Sequence, residues 1–225
     1  MIEEIKGKLN ELSTTKTQNF SSKLIPNSLP ILGCTFPSLR KLAKEICKGE
    51  YQTFLKEYDQ SSFELQLLYA YVISSAKMSI EERIELLRKF VPTIQDWAVC
   101  DGLISSLKCT KKYPKEMLEF ILEYQNSHKE FEVRFLAEML MAYYLTPDYV
   151  QQAVEIIYTL DIKAYYAKMG VAWYIATLMI HYKEYAFELL EKLDDPVTIG
   201  LAIRKIRDSY RISKEIKEEV LFYKK

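Results

Sequence analysis

The feature that most constrains the fold is a pair of amphipathic helices that recurs along most of the chain. From residue 50 onward, apolar residues follow a helical period in paired segments separated by short polar turns. The predicted pairs are 50–58 with 62–76, 79–91 with 94–108, 114–126 with 130–145, 148–159 with 163–182, and 184–193 with 196–209. Each unit spans roughly 35–40 residues, a period nearest to HEAT and armadillo repeats. We therefore predict an all-α protein, a right-handed superhelix (α-solenoid) of HEAT-like helical repeats.

The N-terminal part of the chain is less regular. Residues 2–15 favour a short amphipathic helix, and the polar stretch that follows is broken by Pro26 and Pro30. A further helix begins at Thr35 and Pro37 and turns a basic face to solvent. A last helix begins at Ser213. We predict a single domain over 1–225, with an N-terminal helix and irregular segment over 1–30 and repeats over 31–225.

Four chemically distinctive side chains stand at similar points in successive pairs. Trp97 and Asp101 are four residues apart, so a helix places their indole and carboxylate on one face. Arg134 follows Trp97 by 37 positions (134 − 97), and Trp173 follows Arg134 by 39 (173 − 134). All lie in the second helix of a pair, and one helix of each pair lines the inner curve of a solenoid. We therefore predict that the four line one concave wall.

These residue types together suit hydrolysis of an N-glycosidic bond. Indoles present flat faces to a ligand, a guanidinium binds an anion such as phosphate, and a carboxylate stabilises developing positive charge or positions water. The bond breaks through an oxocarbenium-like sugar cation, which a neighbouring anion favours. Two structural alternatives stay open at this point. Asp101 and Arg134 could form a partly buried ion pair between repeats, and both indoles could be core rings.

Five segments resemble the AlkD-like DNA alkylation-repair proteins. They are WAVCD at 97–101, EVRF at 132–135, GVAW at 170–173, LGCTFPSLRKLAKEI at 32–46 and AIRKIRDSYRIS at 202–213. Their order and spacing extend the resemblance over nearly the whole chain. It implies a superhelix of HEAT-like repeats with a concave DNA-binding face. It also implies a monofunctional glycosylase that excises cationic N3- and N7-alkylated purines without a metal or organic cofactor.

The resemblance also assigns residues. It places the family's catalytic carboxylate on Asp101, its sugar-contacting tryptophans on Trp97 and Trp173, and its phosphate-contacting arginine on Arg134. Other glycosylases swing the base into a pocket, whereas members of this family are understood to leave it stacked and to act on the sugar. We therefore expect a DNA repair enzyme that hydrolyses alkylpurine N-glycosidic bonds in duplex DNA. Its expected partner is double-stranded DNA with alkylated bases.

The charge and the N-terminal stretch support a second hypothesis. Net charge is zero, from 31 basic and 31 acidic residues, which is unlike a protein that coats nucleic acid by bulk electrostatics. Leu24 and Ile25 stand where an aromatic residue is expected from the family. The alternative is an AlkD-like HEAT-repeat scaffold that binds DNA or protein with weak or no glycosylase activity. Candidate DNA contacts on a local basic face are Arg40, Lys41, Lys44, Lys168, Arg204, Lys205, Arg207 and Arg211.

The remaining residue types give negative expectations. The four cysteines form no CxxC pair and the two histidines are isolated, so we expect no metal site. The absence of a signal segment predicts reduced thiols in a bacterial-type cytoplasm, with action at the nucleoid. No apolar run reaches membrane-spanning length. We expect a monomer without cofactors that does not bind membranes.

Overall fold

The protein, described from a computed structural model, is all-α. The structure describes residues 1–25 and 29–224. Within those ranges the regular elements are α-helices and short 3-10 helices, and no strand occurs, so the predicted all-α class is confirmed. The chain comprises two compact units, Met1–Tyr113 and Pro114–Lys225. The single domain expected over 1–225 stays a prediction.

The first unit is built around a layer of three helices. Its α-helices are α1 (Ile2–Leu12), α2 (Thr15–Leu24), α3 (Phe36–Lys48), α4 (Tyr51–Glu57), α5 (Phe63–Ser75), α6 (Ile80–Phe90) and α7 (Trp97–Ser106). The central helix α5 packs against α3 on one side and α7 on the other. It is therefore buried along nearly its whole length, including the polar side chains of Glu64 and Gln66.

The second unit repeats this arrangement. Its α-helices are α8 (Pro114–Leu122), α9 (Glu130–Tyr143), α10 (Val150–Thr159), α11 (Tyr165–His181), α12 (Lys183–Lys192), α13 (Pro196–Asp208) and α14 (Lys214–Glu219). Here α11 packs against both α9 and α13, while α10 contacts α12. Within this unit, the second helices of successive pairs therefore form one layer. The predicted succession of helices is confirmed, and Trp97, Arg134 and Trp173 each lie on the second helix of a predicted pair.

The expectation of an irregular segment after the first helix is wrong for residues 15–24, which form α2. Its sequence TKTQNFSSKL has no apolar period, and none of its residues is buried. Polar contacts hold the helix instead. The Thr14 hydroxyl caps it by accepting from the Thr17 N–H, and the Gln18 side-chain amide donates to the Ile31 carbonyl at 2.7 Å. Pro26, expected to break this segment, lies outside the described residues.

A buried carboxylate organises the loop between α2 and α3. The Glu64 side chain accepts hydrogen bonds from the backbone N–H groups of Leu32, Gly33 and Cys34, at 2.9, 2.7 and 3.2 Å. Gly33 has a φ of +107°, and a Cβ there would lie 2.4 Å from the Thr14 carbonyl oxygen. Only glycine meets both conditions without strain, so this loop is fixed against α2.

The basic face predicted on α3 is confirmed. Leu39, Leu42, Ala43 and Ile46 are buried. The cations Arg40, Lys41, Lys44 and Lys48 are exposed. As predicted, Thr35 and Pro37 begin the helix: Thr35 caps it, and the proline lies in its first turn. Within the described residues, no helix combines the length and apolarity that a membrane span requires.

Candidate functional site

One half of the candidate site is a half-buried stripe on α7. Trp97 and Asp101 are both half-buried, and Ser105, one further turn along, is exposed. Because the three residues are four apart, they share one face of the helix. The other face is buried and consists of Ala98, Val99, Cys100, Gly102, Leu103 and Ile104. The predicted common face of Trp97 and Asp101 is therefore present, and both side chains reach the surface of the first unit.

The start of α7 sets the register of this stripe. The helix begins at Trp97 rather than near the predicted residue 94, because Asp96 caps it. Its carboxylate accepts from the Val99 N–H at 2.9 Å. Asp96 is 1% exposed. Burial raises its pKa to about 6, with a smaller contribution from the Asp101 carboxylate.

The small residue after Asp101 allows α7 to lie close to α5. A Cβ on Gly102 would come 2.6 Å from Leu67 Cδ1 and 3.5 Å from the Tyr71 ring. A larger side chain would therefore have to displace Leu67, which is fully buried. This close packing fixes the height of Asp101 above the helix layer.

The N-terminal helix reaches the tryptophan of this stripe. The indole Nε1–H of Trp97 donates to the carbonyl oxygen of Leu24, at 3.0 Å, where α2 ends. Leu24 and Phe20 of the same helix are largely exposed. The hydrogen bond fixes the orientation of the indole and places the C-terminal end of α2 beside it. Leu24 therefore lies beside the site although it is not the expected aromatic residue.

An exposed arginine from α3 lies one turn from Asp101. The guanidinium of Arg40 donates to the hydroxyls of Ser106 and Ser105, at 3.0 and 3.3 Å. Its Cζ also stands 4.3 Å from the centre of the Tyr71 ring. These contacts hold the cation close to the stripe while leaving it exposed, so it can still bind an anion. Among the cations predicted from sequence, Arg40 is the one positioned beside α7.

The other half of the candidate site centres on Trp173 in α11. This indole is half-buried. Arg134 Cζ stands 5.5 Å from its ring centre, and Lys205 Nζ stands 4.6 Å from it. Cations within about 6 Å of an indole face are attracted by the ring. Three successive second helices, α9, α11 and α13, therefore each contribute one residue to this cluster.

Arg134 is far more buried than a phosphate-binding residue usually is. It is 2% exposed, its Nη2 lies 2.6 Å from Glu138 Oε1, and its Nη1 donates to the Tyr166 carbonyl at 3.1 Å. Gly170 of α11 lies against its stem, where a Cβ would come 3.3 Å from Arg134 Cγ. The side chain therefore ties α9 to α11 and supports Trp173. The phosphate contact expected for Arg134 stays a prediction.

Lys205 is the more accessible cation beside Trp173. It is half-buried. Burial lowers its pKa, the Asp208 carboxylate opposes that change, and the nearby Arg134 and Arg204 cations add to it. An external anion would stabilise the charged form of this lysine, which burial and the neighbouring cations disfavour. The geometry therefore makes Lys205 the better candidate than Arg134 for an anion contact.

The remaining predicted cations differ in availability. Lys168 is paired with Asp195, with 2.7 Å between Nζ and Oδ1, so its charge is already compensated. The exposed cations are Lys41, Lys44, Arg204, Arg207 and Arg211. The Arg211 guanidinium lies 3.4 Å from the His181 ring nitrogen. Lys168 is therefore less available to bind a phosphate than the exposed cations of this set.

Several contacts around the site were not recognised in the sequence. The spacing of Arg134 and Glu138 at i and i+4 was a usable signal for their ion pair. The Asp96 cap could also have been found, since it directly precedes an apolar helix. The contacts of Arg40 with Ser105 and Ser106 join residues more than 60 positions apart, and no local pattern predicts them.

The two halves offer complementary chemistry. The α7 stripe presents a carboxylate and an indole, and the Trp173 cluster presents an indole with cations. Each half lies within its own unit, and assembly of both into one wall stays a prediction. In the described part of the chain, no group of three or more acidic, histidine or cysteine side chains is arranged to hold a metal ion. All four cysteines are free thiols.

The comparisons with known proteins bear on the same residues. No curated protein matches the chain. A family described as "DNA alkylation repair enzyme" matches it over residues 5–206. That match spans both units and includes Trp97, Asp101, Arg134 and Trp173. The chain therefore belongs to the DNA alkylation repair enzyme family.

Proposed function

We propose that the protein is a monofunctional DNA glycosylase that removes cationic N3- and N7-alkylated purines from duplex DNA. Family membership supports a role in DNA repair, with DNA as the substrate. The observation that carries the finer proposal is the half-buried stripe on α7, with Trp97 and Asp101 one turn apart. A carboxylate held at a surface next to an indole suits a sugar that becomes cationic.

In the proposed reaction, the bond between sugar C1′ and the purine nitrogen breaks. Its electron pair goes to the purine, which leaves as a neutral base because the alkylated ring was cationic. The sugar becomes an oxocarbenium ion that Asp101 stabilises at short range. Water then attacks C1′ and gives up a proton, and Asp101 can position that water. The products are free base, an abasic site and one proton.

The Trp173 cluster has a different role in this proposal. The charge of Arg134 is paired with Glu138, but Lys205 places positive charge beside that indole, which would repel a cationic base. The same charge attracts a DNA phosphate. We therefore assign Trp97 and Asp101 to the reacting sugar, and Trp173 with Lys205 to the backbone. Arg134 then acts as a positioning residue that fixes Trp173.

A direct test is base release from a duplex that contains N7-methylguanine. Protein in excess over DNA should release the base faster than spontaneous depurination does. Release at the spontaneous rate only, in a preparation that binds the same duplex, would remove the proposed activity.

A second candidate function is a DNA- or protein-binding scaffold without chemistry. It is favoured by the zero net charge and by the burial of Arg134 against Glu138. The scaffold predicts salt-sensitive duplex binding with no base release, whereas the glycosylase predicts both.

A further inference from the structure

A positively charged groove lies at the C-terminal end of the second unit. It has a volume of about 630 Å³ and is formed by the second half of α13 together with α14 and the 3-10 turn that follows. Its cations are Arg204, Arg207, Lys214, Lys217 and Lys224. We call this feature the C-terminal groove. The segment 207–224 lies beyond the matched family residues, 5–206.

Charge in the C-terminal groove is unbalanced. Its five cations face two carboxylates, Asp208 and Glu218, which leaves a local charge of +3 (5 − 2) in a chain whose net charge is zero. Concentrating one sign of charge in a concave surface raises the local potential and attracts counter-ions.

The groove cations also lack internal partners. Among the described residues, none of the five forms an ion pair, although Lys168 and Lys192, on neighbouring helices, each pair with a carboxylate. Arg204 and Arg207 are three apart on α13, and Lys214 and Lys217 are three apart on α14. Each pair of cations therefore shares a helix face, and the two pairs line opposite elements of the groove.

The cations of the groove, rather than its floor, favour an extended anion. Ile203 and Leu221 contribute an apolar floor, and a Cβ on Gly200 would meet no atom within 4 Å. The volume lies in the roughly 300–1,000 Å³ range of ligand sites, but such sites are mostly apolar and this one is rimmed by charge. A chain of regularly spaced phosphates matches cations on two walls.

We propose that the C-terminal groove binds backbone phosphates of duplex DNA. The proposal rests on the proposed function in one respect, that the substrate is DNA. It adds Lys214 and Lys217 as backbone contacts beyond the predicted cations. Such contacts carry no sequence information, which suits an enzyme that must act wherever a lesion occurs. They also concentrate positive charge on one surface of a chain whose net charge is zero.

The test is the salt dependence of binding to an undamaged fluorescent duplex, measured by anisotropy. Each phosphate contact contributes about 0.9 to the slope of log Kobs against log salt. The double variant Lys214→Gln/Lys217→Gln should therefore reduce that slope by about 1.8 relative to the unmodified protein. A matched control is Lys56→Gln/Lys89→Gln, which removes the same charge from exposed positions on α4 and α6. The control should leave the slope nearly unchanged.

The outcomes separate this proposal from the proposed activity. An equal slope for the groove variant and the control, with both variants folded by circular dichroism, overturns the groove proposal. A slope reduced only for a single-stranded probe overturns duplex DNA as the occupant, and exposed Tyr210 and Phe222 would then be stacking candidates. If the unmodified protein releases no base but the groove variant still shows the reduced salt slope, the proposed glycosylase activity is refuted and the groove proposal is retained.

Discussion

The buried cap of α7 gives the first unit a specific dependence on pH. Asp96 is 1% exposed, and its Oδ2 has no hydrogen-bond partner among the described residues. Burial raises its pKa from 3.8 to about 6. The folded protein therefore holds this proton more tightly than the unfolded chain does. The resulting stabilisation is fully present below pH 4 and is lost as the pH rises through about 6.

The size of this effect follows from the two pKa values. A difference between 3.8 and about 6 corresponds to roughly 3 kcal/mol of unfolding free energy. Asparagine caps a helix as well as aspartate does and carries no charge. The variant Asp96→Asn should therefore match the unmodified protein near pH 4 and be more stable above pH 6.5, by about 1–3 kcal/mol. The lower end allows for the favourable interaction of an ionised cap with the helix dipole.

Urea unfolding between pH 4 and pH 8 measures this difference. Tryptophan fluorescence in a Trp173→Phe background reports Trp97, which lies at the start of the same helix. Asp195→Asn, at the cap of α13, is a matched control of opposite sign. Burial acts to raise the pKa of Asp195, but hydrogen bonds from Lys168 and Thr198 outweigh it and hold that pKa below its ordinary value. A stability difference for Asp96→Asn that does not vary with pH would refute the reasoning.

Three further predictions concern other contacts. Gly33→Ala should lower the free energy of unfolding by more than about 2 kcal/mol, because φ is +107° and the new Cβ would collide with backbone atoms. The control Gly7→Ala, where a Cβ meets no atom within 4 Å, should not lower it, and equal stability of the two variants in urea would contradict the prediction. Glu64→Gln should lower the free energy of unfolding by about 1–3 kcal/mol, because an amide side chain cannot accept hydrogen bonds from all three N–H groups of the loop. Urea unfolding measures this change, and an unchanged midpoint would contradict the anchoring role of Glu64. Lys205→Gln should reduce the salt slope of duplex binding by about 1, and an unchanged slope would remove its phosphate contact.

The helical architecture could be predicted almost completely because its signal is local. Apolar periodicity located the helices of each pair to within a few residues. The same criterion missed α2, whose residues are all outside the core and whose stability comes from a Thr14 cap and contacts to the 31–33 loop. It also started α7 three residues early, because Ile94 is buried before the Asp96 cap rather than within the helix.

The chemistry of the site was less predictable because it depends on contacts between helices. Sequence placed Trp97 and Asp101 on one face, since four-residue spacing within a helix suffices for that. It did not reveal that Arg134 pairs with Glu138 under Gly170, or that Lys205 is the more accessible cation beside Trp173. The contacts with Gly170 and Trp173 arise where α9, α11 and α13 pack, so the sequence of one helix does not predict them, whereas the i,i+4 spacing of Arg134 and Glu138 lies within α9.

The most direct test of the account is the single-turnover rate of N7-methylguanine release by Asp101→Asn. We expect this variant to bind the lesion duplex as the unmodified protein does. Its release rate should fall by about 10²–10³-fold, because the developing sugar cation loses a nearby negative charge. Release at the unmodified rate, with binding retained, would contradict the central role assigned to Asp101.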